Sequence, residues 1–258
     1  MFTDTGIAVG TAAKNKVQFL RENPLGYFVA SLLAGFYVGL GILLIFTIGG
    51  QLSGAPYTKL IMGISFGIAL SLVVMAGSEL FTGNVLVMSF ACLKKEVSLA
   101  DTLSIWGVSY IGNWLGSILL ALLYKGSGLA DGSPVGEFIA QGALGKMTAA
   151  PSALFFRAIL CNVLVCLAVW CSLKLKSESG KLIMIFWCLF AFITTGFEHS
   201  IANMTLLTSA LLTPFDTAVS LSGYFYNILI VTLGNIAGAL LFLALPYCLI
   251  TKAKKQEA

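Results

Sequence analysis

The sequence predicts an all-α membrane protein with six transmembrane helices, built as two inverted three-helix repeats whose second and fifth helices are broken. Three observations carry that expectation. The 258 residues are 58% hydrophobic and only 10% charged, with a mean hydropathy of +0.95. Soluble domains carry about 25% charged residues, so a lipid exterior suits this composition better than a soluble core. Six apolar stretches are long enough to cross a bilayer, and residues of the first half recur in the second in the same order.

The apolar stretches run over 26–48, 60–91, 103–124, 152–173, 182–211 and 220–250. A crossing needs about 20 residues. The second and fifth exceed one straight crossing, and each holds a polar insert, GSELFTGN at 77–84 and GFEHSIAN at 196–203. Ahead of the first span, MFTDTGIAVGTAAKNK is small, polar and weakly amphipathic, without the apolar core and cleavage motif of a signal peptide. It is expected to form a helix at the membrane surface.

Basic residues sort by side. Lys14, Lys16, Arg21, Lys94, Lys95, Lys174, Lys176, Lys181, Lys252, Lys254 and Lys255 fall on one side, and Lys59, Lys125 and Lys146 on the other. The positive-inside bias puts both termini in the cytoplasm. Arg157 is left within the fourth span near its outer end, where it either snorkels outward or pairs with a carboxylate.

The six cysteines lie in or beside apolar stretches. Cys161, Cys166 and Cys171 are spaced so that each is turned about 140° from the last on a helix. No shared face and no CxxC pair results, so they read as free thiols packing as small hydrophobes, with no metal site.

The repeat rests on three matched pairs. GNxxG occurs at 112–116 and 234–238; Glu79 and Asn84 match Glu198 and Asn203; Pro24 and Pro151 open the first and fourth spans. Three spans per half is odd, so halves of about 24–124 and 151–248, within one domain of 1–258, are expected to be inverted. Broken helices meeting near the midplane form the site in such folds.

Lipid-exposed irregular backbone is not tolerated, so the breaks line a cavity or are buried. Ionisable residues at that depth are read as functional. Glu79 and Glu198 are expected to be structural, accepting hydrogen bonds that hold the breaks open. His199, the single histidine, titrates near neutral pH and can stabilise an anion or give it a proton. Half-helices starting after each break offer free N–H groups and the positive dipole end to an anion. The GxxxG glycines are read as close helix contacts. The stretch 125–150 is expected to be the longest loop, with Lys146 either drawing anions to the mouth or simply solvated.

The pieces MFTDT (1–5), NPLGYF (23–28), GSELFTG (77–83), CNVLVCLAVW (161–170), FEHSIANMTL (197–206) and VTLGN (231–235) resemble the formate/nitrite transporter family over essentially the whole chain. The resemblance implies a homopentamer in the bacterial cytoplasmic membrane, an aquaporin-like helix arrangement and a separate pore in each subunit. It implies passage of nitrite or related small monovalent anions, with or without a proton; formate, hydrosulfide and lactate are the alternatives on the same scaffold. It implies no cofactor and no nucleic-acid partner. The loop breaking the second span would supply Leu80, Phe81 and Thr82, with the Thr82 hydroxyl facing His199. Leu70 and Phe192 would be apolar constrictions, and Phe66 part of the outer vestibule. Asn162 and Asn203 would be hydrogen-bonding partners near the histidine, and Lys146 the vestibule lysine. One departure is GNVLV (83–87), where enterobacterial members read GHTMF; it touches the half-helix and leaves the Thr82–His199 pair intact.

A membrane enzyme using His199 and Glu198 is disfavoured, because no nucleophile–base–orienter set or metal-type spacing accompanies the histidine. A neutral-solute channel has only fold-level analogy behind it.

Overall fold

A computed structural model describes residues 2–251; Lys252, Lys254 and Lys255 lie outside the described residues. The described chain is helical from end to end: α1 Phe2–Glu22, α2 Pro24–Gln51, α3 Thr58–Ser65, α4 Ile68–Met75, α5 Phe81–Leu93, α6 Leu99–Gly126, α7 Pro134–Met147, α8 Pro151–Lys174, α9 Glu178–Thr195, α10 Ser200–Leu212, α11 Leu221–Ala239 and α12 Leu245–Ile250, the last two joined by a π-turn at Leu240–Ala244. Six helical stretches are long and apolar enough to cross a membrane: α2, α3–α4, α6, α8, α9 and α11–α12. Their outward faces are apolar, as at Leu233 (52% exposed) and Leu249 (80% exposed). Such a surface is stable against lipid and not against water.

The helix starts are written in the sequence. Asn23 caps α2 by accepting the Gly26 N–H, with Pro24 at the first helical position. Ser98 and Asp101 form a capping box at α6. Ser133 caps α7 ahead of Pro134. That start corrects the expected long loop: most of 125–150 is helix, since α6 runs to Gly126 and α7 fills Pro134–Met147.

The second and fifth apolar stretches are each a crossing helix, a break and a shorter half-helix. The breaks fall at 76–80 and 196–199, between α4 and α5 and between α9 and α10. Gly77 (φ +78) and Gly196 (φ +80) turn the chain there, in backbone that residues with a Cβ rarely adopt. The half-helices α5 and α10 are the most enclosed elements, with nearly every residue buried.

Helices α6 and α11, which carry the two GNxxG segments, each clamp the first helix of their half. A Cβ on Gly116 would strike the Leu32 carbonyl of α2, and one on Gly238 the Ile159 carbonyl of α8. The two contacts put the first helix of each half against the third in the same way.

The N-terminal α1 is docked rather than floating. Val9, Ala13 and Val17, at helical spacing, bury one face against the bundle. Ion pairs join Lys14 to Glu96 (2.9 Å), Lys16 to Glu79 (2.7 Å) and Arg21 to Asp101 (2.7 Å). The first and third are surface pairs of little energetic weight; the second reaches into the first break.

Candidate anion pathway at the two helix breaks

Each break is tied down by the same chemistry. In the first, the Glu79 N–H donates to the Ala30 carbonyl (3.1 Å). The Asn113 amide donates to the carbonyls of Ser31 (2.6 Å) and Glu79 (2.9 Å), while its Oδ1 accepts the Phe81 N–H (2.9 Å). In the second, the Glu198 N–H donates to the Arg157 carbonyl (3.3 Å). The Asn235 amide donates to the carbonyls of Ala158 (2.8 Å) and Glu198 (3.0 Å), and its Oδ1 accepts the Ser200 N–H (2.9 Å). Asn113 and Asn235 are the asparagines of the two GNxxG segments. Read for their glycines, those segments gave no role to the asparagine, although a polar side chain repeated at matched points of two apolar spans is itself a signal.

The two glutamates are matched as well. Glu79 accepts Lys16 Nζ (2.7 and 2.8 Å), Tyr27 OH (2.9 Å) and Asn84 Nδ2 (3.0 Å). Glu198 Oε2 accepts Lys146 Nζ (2.7 Å) and Asn203 Nδ2 (2.7 Å). Each carboxylate is bound by a lysine and by the asparagine five residues on, which is the geometry of a brace. Lys16 and Lys146 were not legible as its cations, because the pairs lie 63 and 52 residues apart in sequence.

The halves differ at the residue capping each half-helix. Leu80 and His199 both sit at the N-cap with extended backbone. Leu80 offers no acceptor, whereas His199 Nδ1 accepts the Ala202 N–H (3.1 Å) and its Nε2 lies 2.9 Å from Thr82 Oγ1. An accepting Nδ1 puts the proton of a neutral imidazole on Nε2, which then donates to the Thr82 hydroxyl. His199 is 4% exposed and Thr82 fully buried.

Two cavities lie near this pair; His199 lines the second, and Thr82 lines neither. One, of about 470 Å³, is lined by Lys16, Leu70, Ser78, Leu80, Gly83 and Asn84 among others. The other, of about 410 Å³, is lined by Lys59, Gln141, Lys146, Phe192, His199 and Asn203 among others. Between them is a pinch of about 10 Å³ walled by Phe66, Leu70, Leu80, Leu189, Phe192 and His199, with Val38, Ala69 and Val165. That is about the volume one water requires. Leu70 and Leu80 are shared with the first cavity, Phe192 and His199 with the second. Phe192 stacks on the imidazole (centroids 6.0 Å apart) and meets Phe66 edge-on (5.3 Å). The path is therefore an hourglass with an apolar waist and one polar group, His199, in its wall.

Several expected positions move. The Phe81 ring packs edge-on against Tyr110 of α6 (4.9 Å) and lines none of the three spaces; its backbone N–H, bound to Asn113, is its contribution. The Asn203 side chain does not bond the imidazole: its amide braces Glu198 and Asn227 (2.9 Å), and only its backbone N–H meets His199, at the carbonyl. Asn162 also serves the frame, donating to the Asn235 carbonyl (2.7 Å) and, at 3.5 Å, to the Thr82 carbonyl. Phe66 walls the waist rather than the wide cavity. The first-turn amides are not all free, since Phe81, Ser200 and Ala202 N–H groups have partners. Lys146 lines the cavity, but its ammonium is held by Glu198. Lys59 is an exposed lysine on the same cavity with no ion pair among the described residues, a feature hidden by the distance in sequence between α3 and the second break. No cluster of metal-ligating side chains occurs among the described residues.

The chain matches the formate/nitrite transporter family model over residues 5–249. It belongs to the formate/nitrite transporter family. It is 44% identical to the nitrite transporter NirC of Escherichia coli (strain K12), over 100% of this chain and 96% of that protein. Among solved structures it is similar to an FNT family ion channel, with a TM-score of 0.91 and 40% identity over 97% of this chain and 100% of that one. It is also similar to a pentameric formate channel with formate bound, with a TM-score of 0.76 and 27% identity over 93% and 98%. As a member of this transporter family, the chain is a multi-pass membrane protein.

Proposed function

We propose that this formate/nitrite transporter conducts nitrite across the bacterial cytoplasmic membrane, through a pore within each subunit of a homopentamer. The observation that carries the reading is the single polar group at an apolar waist between two cavities that both hold lysine. A bare anion in such a waist suffers a large desolvation cost. The Nε2–H of His199 offsets it by turning from Thr82 Oγ1 to the anion, and the N-terminal dipoles of α5 and α10 add to it. Thr82 acts through His199 as a partner that holds the donor in place when no anion is present. A proton passed to the anion would need an imidazolium, and protonating Nδ1 would cost α10 its cap. Leu70, Leu80, Phe66 and Phe192 exclude water and hydrated ions.

The likeness to NirC supports nitrite as substrate. The test is flux through purified protein in liposomes, with nitrite, formate and hydrosulfide compared side by side. Nitrite is expected to move fastest; faster formate or hydrosulfide movement would replace the substrate and leave the scaffold reading in place.

We further read the two halves as inverted repeats with both termini cytoplasmic, supported by their matched braces and by the basic residues of the first side. A cysteine replacing Leu129, in a variant whose six native cysteines are replaced, is then expected to label from outside intact cells with a membrane-impermeant thiol reagent. Labelling only after permeabilisation would reverse the orientation.

In the outer cavity Lys59 carries the steering charge. An exposed, unpaired cation raises local anion concentration and is screened by salt over a Debye length of about 8–10 Å. Lys59→Gln is expected to lower nitrite flux a few-fold at low ionic strength and to have little effect at high. An effect independent of salt would mean direct binding instead.

A further inference from the structure

We propose that Arg157 and the outward face of α8 form a binding site for the phosphate of a membrane lipid. Arg157 is the seventh residue of α8 and is exposed. On a helix rising about 1.5 Å per residue it stands about 9 Å below the helix end, inside the span. Its backbone carbonyl takes the Glu198 N–H, which fixes it at the level of the second break. Its neighbours on the surface are apolar, Phe156 at 63% and Leu160 at 48% exposure. The matching position in the first half is Ala30, whose carbonyl takes the Glu79 N–H. The charge is therefore no part of the frame the two halves share.

A guanidinium at that depth is costly unless it reaches an anion or the interface. The described ion pairs engage Lys14, Lys16, Arg21, Lys125 and Lys146, and none engages Arg157. A second copy offers no better partner at this level. Within the spans the chain has carboxylates only at Glu79 and Glu198, both committed to lysines inside their own subunit. Every other acid of the described residues lies in α1, in the first turn of a helix or in a loop. With apolar Phe156 and Leu160 exposed beside it, the anion that fits this face is the one the bilayer supplies. An arginine reaching up from about 9 Å places its planar fork near the headgroups of that leaflet, where it matches two phosphate oxygens at once. Phe156 and Leu160 would hold the upper acyl chains, which a free phosphate in water could not offer.

The test is native mass spectrometry of the intact oligomer titrated with phosphatidylglycerol. Arg157→Gln is expected to weaken the tightest phosphatidylglycerol adduct roughly ten-fold or more, the loss of a charge-assisted hydrogen-bonded pair. Arg157→Lys, a point charge without the fork, should fall between Gln and wild type. Inorganic phosphate should not compete for the adduct. Unchanged lipid affinity in Arg157→Gln would overturn the proposal, as would competition by inorganic phosphate. So would an oligomer that dissociates on substitution while lipid affinity persists, because the partner would then be a neighbouring subunit.

Discussion

Protein carrying His199→Phe is expected to assemble normally and to pass almost no nitrite. Phenylalanine keeps an aromatic ring against Phe192 and removes both nitrogens. The fold should tolerate the change, because the first break already runs with an apolar N-cap: Leu80 supplies no acceptor to α5. The structural cost is the Ala202 hydrogen bond at α10, about 1 kcal/mol for a lost N-cap. The functional cost is larger, since the waist then has no donor and an anion must cross on helix dipoles alone. His199→Asn separates the two roles. Asparagine is a good N-cap and retains a donor, but it does not titrate. Because Nδ1 accepts the Ala202 N–H and the donor is the neutral Nε2–H, protein-dependent flux should not follow an imidazole titration between roughly pH 8 and 5, and His199→Asn should keep part of the wild-type rate where His199→Phe does not. Nitrite uptake into proteoliposomes across that range, with oligomer size checked in detergent, decides the matter. Wild-type rates and pH profile in a well-assembled His199→Phe protein would reduce the histidine to a helix cap.

What the sequence made legible divides along a physical line. Composition and span length follow from lipid being the solvent, so the crossings at α2, α6 and α8 lie within four residues of their expected limits. The breaks were legible because polar groups are costly against lipid, so a polar insert in a long apolar stretch marks where the chain turns inward. The Thr82–His199 contact, across 117 residues, was reachable only by resemblance. What stayed hidden was which of the polar residues look at the pore and which look at each other. Asn203 and His199 lie four residues apart on the same short stretch, yet one side chain faces a carboxylate and the other walls the waist. Phe81 and Leu80 are adjacent, and only the leucine faces the path. Near a break the helical period is interrupted, so spacing no longer reports the face. Partners such as Lys16 and Lys146 come from α1 and α7, elements whose docking depends on tertiary packing.

Lys146→Ala is expected to destabilise the protein and to lower flux at every ionic strength, unlike Lys59→Gln. Glu198 is 3% exposed, and its carboxylate has two partners among the described residues, Lys146 and Asn203. Removing the lysine leaves a buried charge with one neutral donor. Breaking a buried pair from one side costs roughly 3–5 kcal/mol, because the remaining charge is neither hydrated nor compensated. Salt does not reach it. The strain falls on the break itself, since the Glu198 backbone is held by Asn235 and Arg157 and precedes His199 directly. Removing both charges should relieve it: Lys146→Met with Glu198→Gln is expected to recover most of the lost stability. The twin pair gives an internal control. Glu79 keeps Tyr27 OH and Asn84 as donors when Lys16 is lost, and its side chain is 12% exposed against 4% for Glu198. Lys16→Ala should therefore cost less than Lys146→Ala. Thermal unfolding in detergent measures the ranking, and liposome flux at low and high salt measures its consequence. A Lys146→Ala protein with wild-type stability, whose flux recovers at high salt, would return Lys146 to the role of a long-range attractor.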